Sequence, residues 1–290
     1  MNAWLVAARP TTLLASVAPV LVGGGLAIHA DVFRVDALVV TLITAGLINV
    51  AANFANDASD HARGVDSPHR IGPPRAVASG LLTGRQIWFG TAAVLGLASA
   101  GGVYLAVISD WRILLVGIAA VAALLGYSGG PWPYGHHAIG EVFVFVFFGL
   151  AGVVGSRFVH DATAPGEAWL LAIPVGFLVT AILVANNVRD LDTDRVAGKH
   201  TLAVQLGRRR TRALYGILVF GAFVLIAVFG ALDLAPRPTL IALVALPLTV
   251  APVRAVVTET EGPRLIGALK ANARLHAIVG LLLGIGAALG

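Results

Sequence analysis

The residues that could do chemistry are gathered in two short stretches. One reads Asn186-Asn187-Val188-Arg189-Asp190-Leu191-Asp192-Thr193-Asp194-Arg195-Val196-Ala197-Gly198-Lys199 and sets three carboxylates, two amides and three cations in a hydrocarbon background. The other reads Asn53-Phe54-Ala55-Asn56-Asp57-Ala58-Ser59-Asp60-His61-Ala62-Arg63-Gly64-Val65-Asp66. Helical positions three or four apart share a face. Asn49, Asn53, Asp57 and Asp60 therefore form one stripe, and Asn186, Asp190 and Asp194 another. Asp192 points away from the second stripe if the helix continues that far. Carboxylates beside hydrocarbon are costly and repel one another, so each stripe calls for a multivalent cation. Oxygen donors without thiols suit a hard ion, Mg²⁺ first. Mg²⁺ is usually held by one or two carboxylates plus substrate phosphates. Arg63, Arg70, Arg75, Arg189, Arg195 and Lys199 stand beside the carboxylates, and arginine forks match phosphate oxygens. The combination points to a Mg²⁺-bridged phosphate or diphosphate. At a bilayer edge the natural substrate has an anionic head and a lipid tail, as a polyprenyl diphosphate does. A single Asp or Arg at a helix end is ordinarily a solvated terminus; two clusters of matching make-up are not. Asp66 and Asp192, taken singly, stay open between metal ligand and solvated residue.

The elements that must position these stretches are membrane spans. The 290 residues are 58% hydrophobic and 12% charged, with a mean hydropathy of +0.87. A soluble domain carries about 25% charged residues, so this chain reads as one multi-pass helical unit over 1–290 in a lipid bilayer. The 34 glycines suit close helix packing. The absence of Cys excludes disulfides, thiolate metal sites and a Cys nucleophile. Nine apolar segments approach the length of a span: 11–29, 37–55, 87–108, 113–128, 141–159, 169–188, 213–232, 238–256 and 272–289. The first reads as a span, not a cleaved signal. Nine spans with the N-terminus inside place 16 of the 20 basic residues on the inner face, the arrangement the positive-inside rule favours. That rule also accounts for the net charge of +5 without a nucleic-acid partner. Both polar stretches then lie on one face, cytoplasmic, at the inner ends of spans two and six. A loose echo joins them: Asn53 precedes Asp57 by four residues as Asn186 precedes Asp190. It fits an ancestral duplication or a convergent solution to one task.

Asn56-Asp57-x-x-Asp60 with Asp66 resembles the first aspartate motif of the UbiA superfamily of intramembrane prenyltransferases, and 186–199 resembles the second. Three further stretches are similar to its 1,4-dihydroxy-2-naphthoate polyprenyltransferase branch: Arg70-Ile71-Gly72-Pro73-Pro74-Arg75, Tyr127-Ser128-Gly129-Gly130-Pro131, and Gly140-Glu141 through Phe145. So does Gly198-Lys199-x-Thr201-Leu202-Ala203. The resemblance implies an all-α bundle of about nine spans, in a cell membrane. It implies Mg²⁺ held by Asp57, Asp60, Asp190 and Asp194, with Asp66 a further candidate. Lys199, Arg63, Arg70, Arg75 and Arg195 would take up charge on the departing diphosphate. Asn53, Asn56, Asn186, Asn187 and Arg189 would line the substrate. An allylic cation would be attacked by the ring of 1,4-dihydroxy-2-naphthoate, which then loses CO₂ to give a demethylmenaquinol. The spacing Asp190, Asp192, Asp194 departs from the superfamily's threes and fours, and helical facing favours Asp190 and Asp194.

The connection 129–140 carries Tyr134, His136 and His137 and leads into Glu141. His137 and Glu141, four apart, read as a metal pair, an acid–base pair, or plain polar caps of spans four and five. Tyr134 reads as a stacking partner for a cation or acceptor ring or as a membrane-edge anchor. Two rival functions remain. One keeps the prenyl transfer but takes another acceptor, such as 4-hydroxybenzoate or homogentisate. The other is a cation-coupled transporter, against which stands the position of the charges at span ends instead of the midplane.

Overall fold

The structure is a computed structural model and describes residues 2–65, 72, 74–260 and 262–290. Asp66 and Arg70, both named above, lie outside the described residues. The described residues are helical, without a strand. α1 (Ala3–Ala8) and the 3-10 turn Pro10–Thr12 meet α2 (Leu14–His29) at a bend of 47°. α3 (Val35–Ala62), α4 (Gly84–Ile108) and α5 (Arg112–Ser128) follow. α6 (Gly140–Asp161) contains a π-helical stretch, Phe145–Ala151. α7 (Gly166–Val196), α8 (Leu202–Ala231), α9 (Arg237–Thr258) and α10 (Gly262–Ala288) complete the bundle. α9 opens as a 3-10 helix, Arg237–Thr249, that holds Pro238 and Pro247, and Pro252 follows in its α-helical part.

Seven of these helices are long and apolar enough to cross a membrane, and the bent α1–α2 pair makes an eighth. α5, of 17 residues, is a shorter apolar helix. Each of the nine segments read from the sequence falls on a helix, so nine is an approximate count of crossings. The segments ended too early at two places. α3 runs on to Ala62 and α7 to Val196, which puts both carboxylate stripes on continuous helix, as the reading of the stripes requires. Hydropathy stops where polar residues begin; the backbone does not, because its hydrogen bonds close within the helix whatever the side chains.

α7 is the central helix, with 67% of its most apolar window inside the protein. Its neighbours are α8, α6 and α10, while α2 packs along α10 and α3 along α4. Small residues set the closest approaches: a Cβ on Gly25 of α2 would collide with the backbone of Gly284 on α10, and one on Gly149 of α6 with Gly176 of α7. In lipid such contacts replace the hydrophobic drive that folds soluble bundles. The apolar core therefore fixes where the ends of α3 and α7 emerge.

Candidate functional site

α3 and α7 end in the same way. Gly64 and Gly198 both take left-handed φ values, 68° and 72°, where glycine is favoured. The N–H of Val65 then donates to the Asp60 carbonyl at 3.2 Å, and the N–H of Lys199 to the Asp194 carbonyl at 2.9 Å. These are the long closing bonds of a glycine C-cap. The caps correct the echo read from the sequence by one residue. Asp60 corresponds to Asp194 and Asn56 to Asp190, while Asp57 falls opposite Leu191. The turn also swings Lys199 back, so that its Nζ lies 3.6 Å from Asp194 Oδ1.

The carboxylate of Asp60 is buried and gathers partners from two other segments. Arg75 Nη2 donates to Oδ2 at 2.5 Å, and His136 Nε2 lies 3.0 Å from Oδ1. His136 is itself held, its carbonyl accepting from the N–H of His200 at 2.8 Å. The charge of Lys199 acts on both Asp60 and Asp194, which lie within electrostatic reach of each other, and Asp190 acts on Asp194. Carboxylates from α3 and α7, 134 positions apart by their numbers, thus lie within electrostatic reach of one cation.

Asp57, the most deeply buried of the set, caps a loop: its oxygens accept from the N–H groups of Ala76 at 2.8 Å and Val77 at 3.2 Å. That grip positions Arg75, the residue just before. Asp190 takes both Nε (2.7 Å) and Nη2 (2.5 Å) of Arg189. The side chains of Asp190 and Asp194 are 16% and 13% exposed, against 73% for Asp192, which turns outward to Arg208. The facing read from helical spacing holds. Arg195 is exposed, and Asn186 is half-buried. Arg63 donates Nε to the Ser128 carbonyl at 2.9 Å and Nη2 to that of Gly130, tying the end of α3 to the loop after α5. Asn53 and Asn49 hold the bent N-terminal segment: Asn53 Nδ2 donates to the Ala8 carbonyl (3.0 Å) and Thr12 Oγ1 (2.9 Å), Asn49 Nδ2 to the Thr12 carbonyl (3.1 Å).

Glu141, buried at the start of α6, accepts from Asn187 Nδ2 at 2.8 Å. Tyr127 lies within electrostatic reach of Glu141, Asp60 and Asp194, so the α6 entrance adjoins the carboxylates. His137 is turned elsewhere, with Nδ1 3.0 Å from the Pro133 carbonyl and its ring against Trp132; it makes no hydrogen bond to Glu141. Tyr134 is buried, stacks on Phe143 at 3.9 Å and gives its hydroxyl to the Ala123 carbonyl at 2.8 Å. Burial pushes its phenol above the usual value. It is a packing residue inside the bundle, not a membrane-edge anchor. His136 and Tyr127 are the two groups that spacing alone did not assign. Their signal was faint: His136 sits in a Gly- and Pro-rich connection and Tyr127 in the last turn of α5, and most of the groups they approach lie far away in sequence.

The chemistry of the donor set suits a hard divalent ion: carboxylate oxygens, the buried Asn56 Oδ1 with no hydrogen-bond partner among the described residues, and flanking cations. Among the described residues no three His, Asp or Glu side chains stand close enough to form a metal cage by themselves.

The comparisons with known proteins agree with this architecture. The chain is 40% identical over 271 residues to 1,4-dihydroxy-2-naphthoate octaprenyltransferase of Mycobacterium leprae (strain TN), covering 92% of this chain and 90% of that one. It is 34% identical over 266 residues to the Escherichia coli (strain K12) protein of the same name, covering 90% and 86%. A UbiA homolog from Archaeoglobus fulgidus, solved bound to DMAPP and Mg²⁺, superposes with a TM-score of 0.66 at 19% identity over 97% of this chain and 99% of that one. Residues 16–269 match the model of the UbiA prenyltransferase family, and the chain belongs to that family.

Proposed function

We propose that the enzyme transfers a polyprenyl group from a polyprenyl diphosphate to 1,4-dihydroxy-2-naphthoate, with loss of CO₂, as a step of menaquinone synthesis. One observation carries the reading furthest: Asp60 and Asp194, from helices distant in sequence, share the charge of Lys199 at the end of an apolar bundle. Such a pairing of acids and cations suits a diphosphate, and the apolar helices suit its tail. The names of the Mycobacterium leprae and Escherichia coli relatives support the choice of acceptor, and the ligands of the Archaeoglobus fulgidus structure support the choice of donor and ion.

Asp60, Asp190 and Asp194, with Asp57 behind them, are the residues that would hold Mg²⁺, and Asn56 offers a neutral oxygen. When bound, the ion neutralises diphosphate charge and so favours its departure. Lys199 and Arg75 place positive charge where the leaving group gains negative charge. The bond between the prenyl carbon and the diphosphate oxygen breaks, and its electron pair leaves with the diphosphate. The ring carbon that carries the acceptor's carboxylate bonds to the prenyl carbon; its bond to the carboxylate then breaks, CO₂ leaves, and the electron pair returns to the ring and restores its aromaticity. Glu141 and Asn187, beside Tyr127, would orient the acceptor's hydroxyl groups. The arginine bias supports a cytoplasmic position for this end of the bundle in a cell membrane.

The test is a membrane assay with a polyprenyl diphosphate, 1,4-dihydroxy-2-naphthoate and Mg²⁺, scored for prenylated naphthoquinol and released CO₂. Turnover with this acceptor is the expected result. Turnover with 4-hydroxybenzoate or homogentisate in its place would transfer the assignment to another branch. Ion-coupled flux in proteoliposomes without chemical turnover would make the chain a transporter.

A further inference from the structure

A second feature lies on the lipid-facing side of the bundle, independent of the prenyl-transfer reading. Between α8 and α9 runs a groove of about 600 Å³, walled by Phe220 on one side and Leu246, Val250, Val253 and Val257 on the other. Arg254 stands on its edge. The groove continues into a recess of about 470 Å³ lined by Arg208, Arg209 and Arg212, and Val257 lines both. The helix from Leu246 to Val257, 3-10 as far as Thr249 and α-helical from Val250, advances about 17 Å. That is the depth of one leaflet of a hydrocarbon core about 30 Å thick. The groove thus has the length of a lipid acyl chain and a cationic end at the same face as Asp60 and Asp194.

The cationic end is built by the backbone. Gly207, at φ 75°, breaks the first turns of α8, and the helix restarts at Arg208. Arg208 and Arg212 then stand one turn apart and act on each other as like charges. Arg208 is tied to Asp192 (2.7 Å) and the Val188 carbonyl (3.0 Å), and Arg212 to the Glu259 carbonyl (2.5 Å). Arg209 and Arg254 are exposed and form no salt bridge among the described residues. Asp192 already answers Arg208, which leaves Arg209, Arg212 and Arg254 as the charges an anion entering the groove and recess would meet.

We propose that this groove holds one anionic diacyl phospholipid from the leaflet on the Asp60–Asp194 side. Its phosphate sits among Arg209, Arg212 and Arg254, and its acyl chains lie along Phe220, Val250 and Leu246. A zwitterionic lipid would bring an ammonium group into the same cluster and bind less well. The phosphate contact is a directional one of the fork type, added to the general attraction of basic residues for anionic lipid.

The experiment purifies the protein with equal amounts of phosphatidylglycerol and phosphatidylcholine and counts retained lipid by native mass spectrometry. Wild type should retain phosphatidylglycerol selectively. The double variant Arg209→Gln/Arg254→Gln should retain about tenfold less or lower still, with unchanged turnover and unchanged thermal unfolding in detergent. Val257→Trp, which fills the neck of the groove, should lose the same lipid without removing a charge. Equal retention of both lipids by wild type would reduce the groove to ordinary annular contact and overturn the proposal. Undiminished phosphatidylglycerol in the double variant would do the same. Displacement of the lipid by geranyl diphosphate, sensitive to the same variants, would make the groove a substrate route instead.

Discussion

The two ends of the bundle both carry buried or half-buried ion pairs, and they use them differently. At the end opposite the carboxylate stripes, charges pair with near neighbours. Arg157 grips Asp161 with two bonds (2.6 and 3.0 Å) one turn away, Arg34 reaches Asp36 (3.0 Å), and Arg112 reaches Asp110 (2.8 Å). Tyr104 donates to Asp36 at 2.9 Å, and the Arg34 N–H donates to His160 Nδ1 at 3.0 Å. These contacts close helix ends and clasp α3, α4 and α6. At the other end, Asp60 is met by Arg75 and His136 from separate segments and feels Lys199 from a third. A clasp spends its charges on itself. A site assembles charge from several elements, so that a ligand entering between them meets all of it.

The largest effect should come from reversing those roles one residue at a time. Asp60→Asn is expected to lower kcat by on the order of 10³-fold, by the scale of losing a preorganised charge, in protein that still inserts; its unfolding temperature falls as well, because the buried Arg75 loses a carboxylate partner. Asp161→Asn should touch stability alone. Turnover stays within about twofold, but the buried Arg157 loses its partner, a loss that is strongly destabilising, and unfolding shifts down by several degrees. Large activity loss in Asp161→Asn, or a wholly structural defect in Asp60→Asn, would erase the distinction. Next comes Lys199→Gln, expected to cost about 10² in kcat, with Lys199→Arg recovering part of it; a steady-state assay at saturating substrates reads this. Glu141→Gln should raise KM for the acceptor by about tenfold, the scale of one hydrogen bond to a charged group, and leave KM for the diphosphate unchanged. A change in the diphosphate KM alone would detach Glu141 from the acceptor. Asp192→Asn is the smallest, within about threefold, because its carboxylate faces outward. Matching Asp190→Asn in severity would show that facing does not decide which carboxylate matters.

Several parts of the site were legible before the structure. Asn49, Asn53, Asp57 and Asp60 lie on one buried stripe, and Asp192 points away from Asp190 and Asp194, as the spacing required. Helical periodicity is a local rule, so sequence alone can apply it. The partners were not legible. Asp57 looked like a twin of Asp190, yet it holds the amides of Ala76 and Val77, and the cap geometry pairs Asp60 with Asp194 instead. Arg63 looked like a phosphate ligand and binds the carbonyls of Ser128 and Gly130. Tyr134 looked amphipathic and is packed inside. For Asp57 and Arg63 the partners are backbone groups in or beside a loop, and for Tyr134 they lie on α5 and α6; neither loop placement nor helix packing leaves a periodic trace.

Composition and spacing were enough for a helical membrane protein, for the faces of its two polar stripes, and for the kind of ligand that acids interleaved with arginine attract. Those properties follow from the cost of charge in hydrocarbon and from the 3.6-residue turn, which act on every segment wherever the others lie. Only the packed bundle decided that Asp60 meets Arg75 at 15 residues' separation and His136 at 76, and that Lys199 serves carboxylates from two helices. Such meetings depend on how α3 and α7 are held by their neighbours. That holding comes from close glycine contacts and a shared apolar core, which no single stretch of sequence contains.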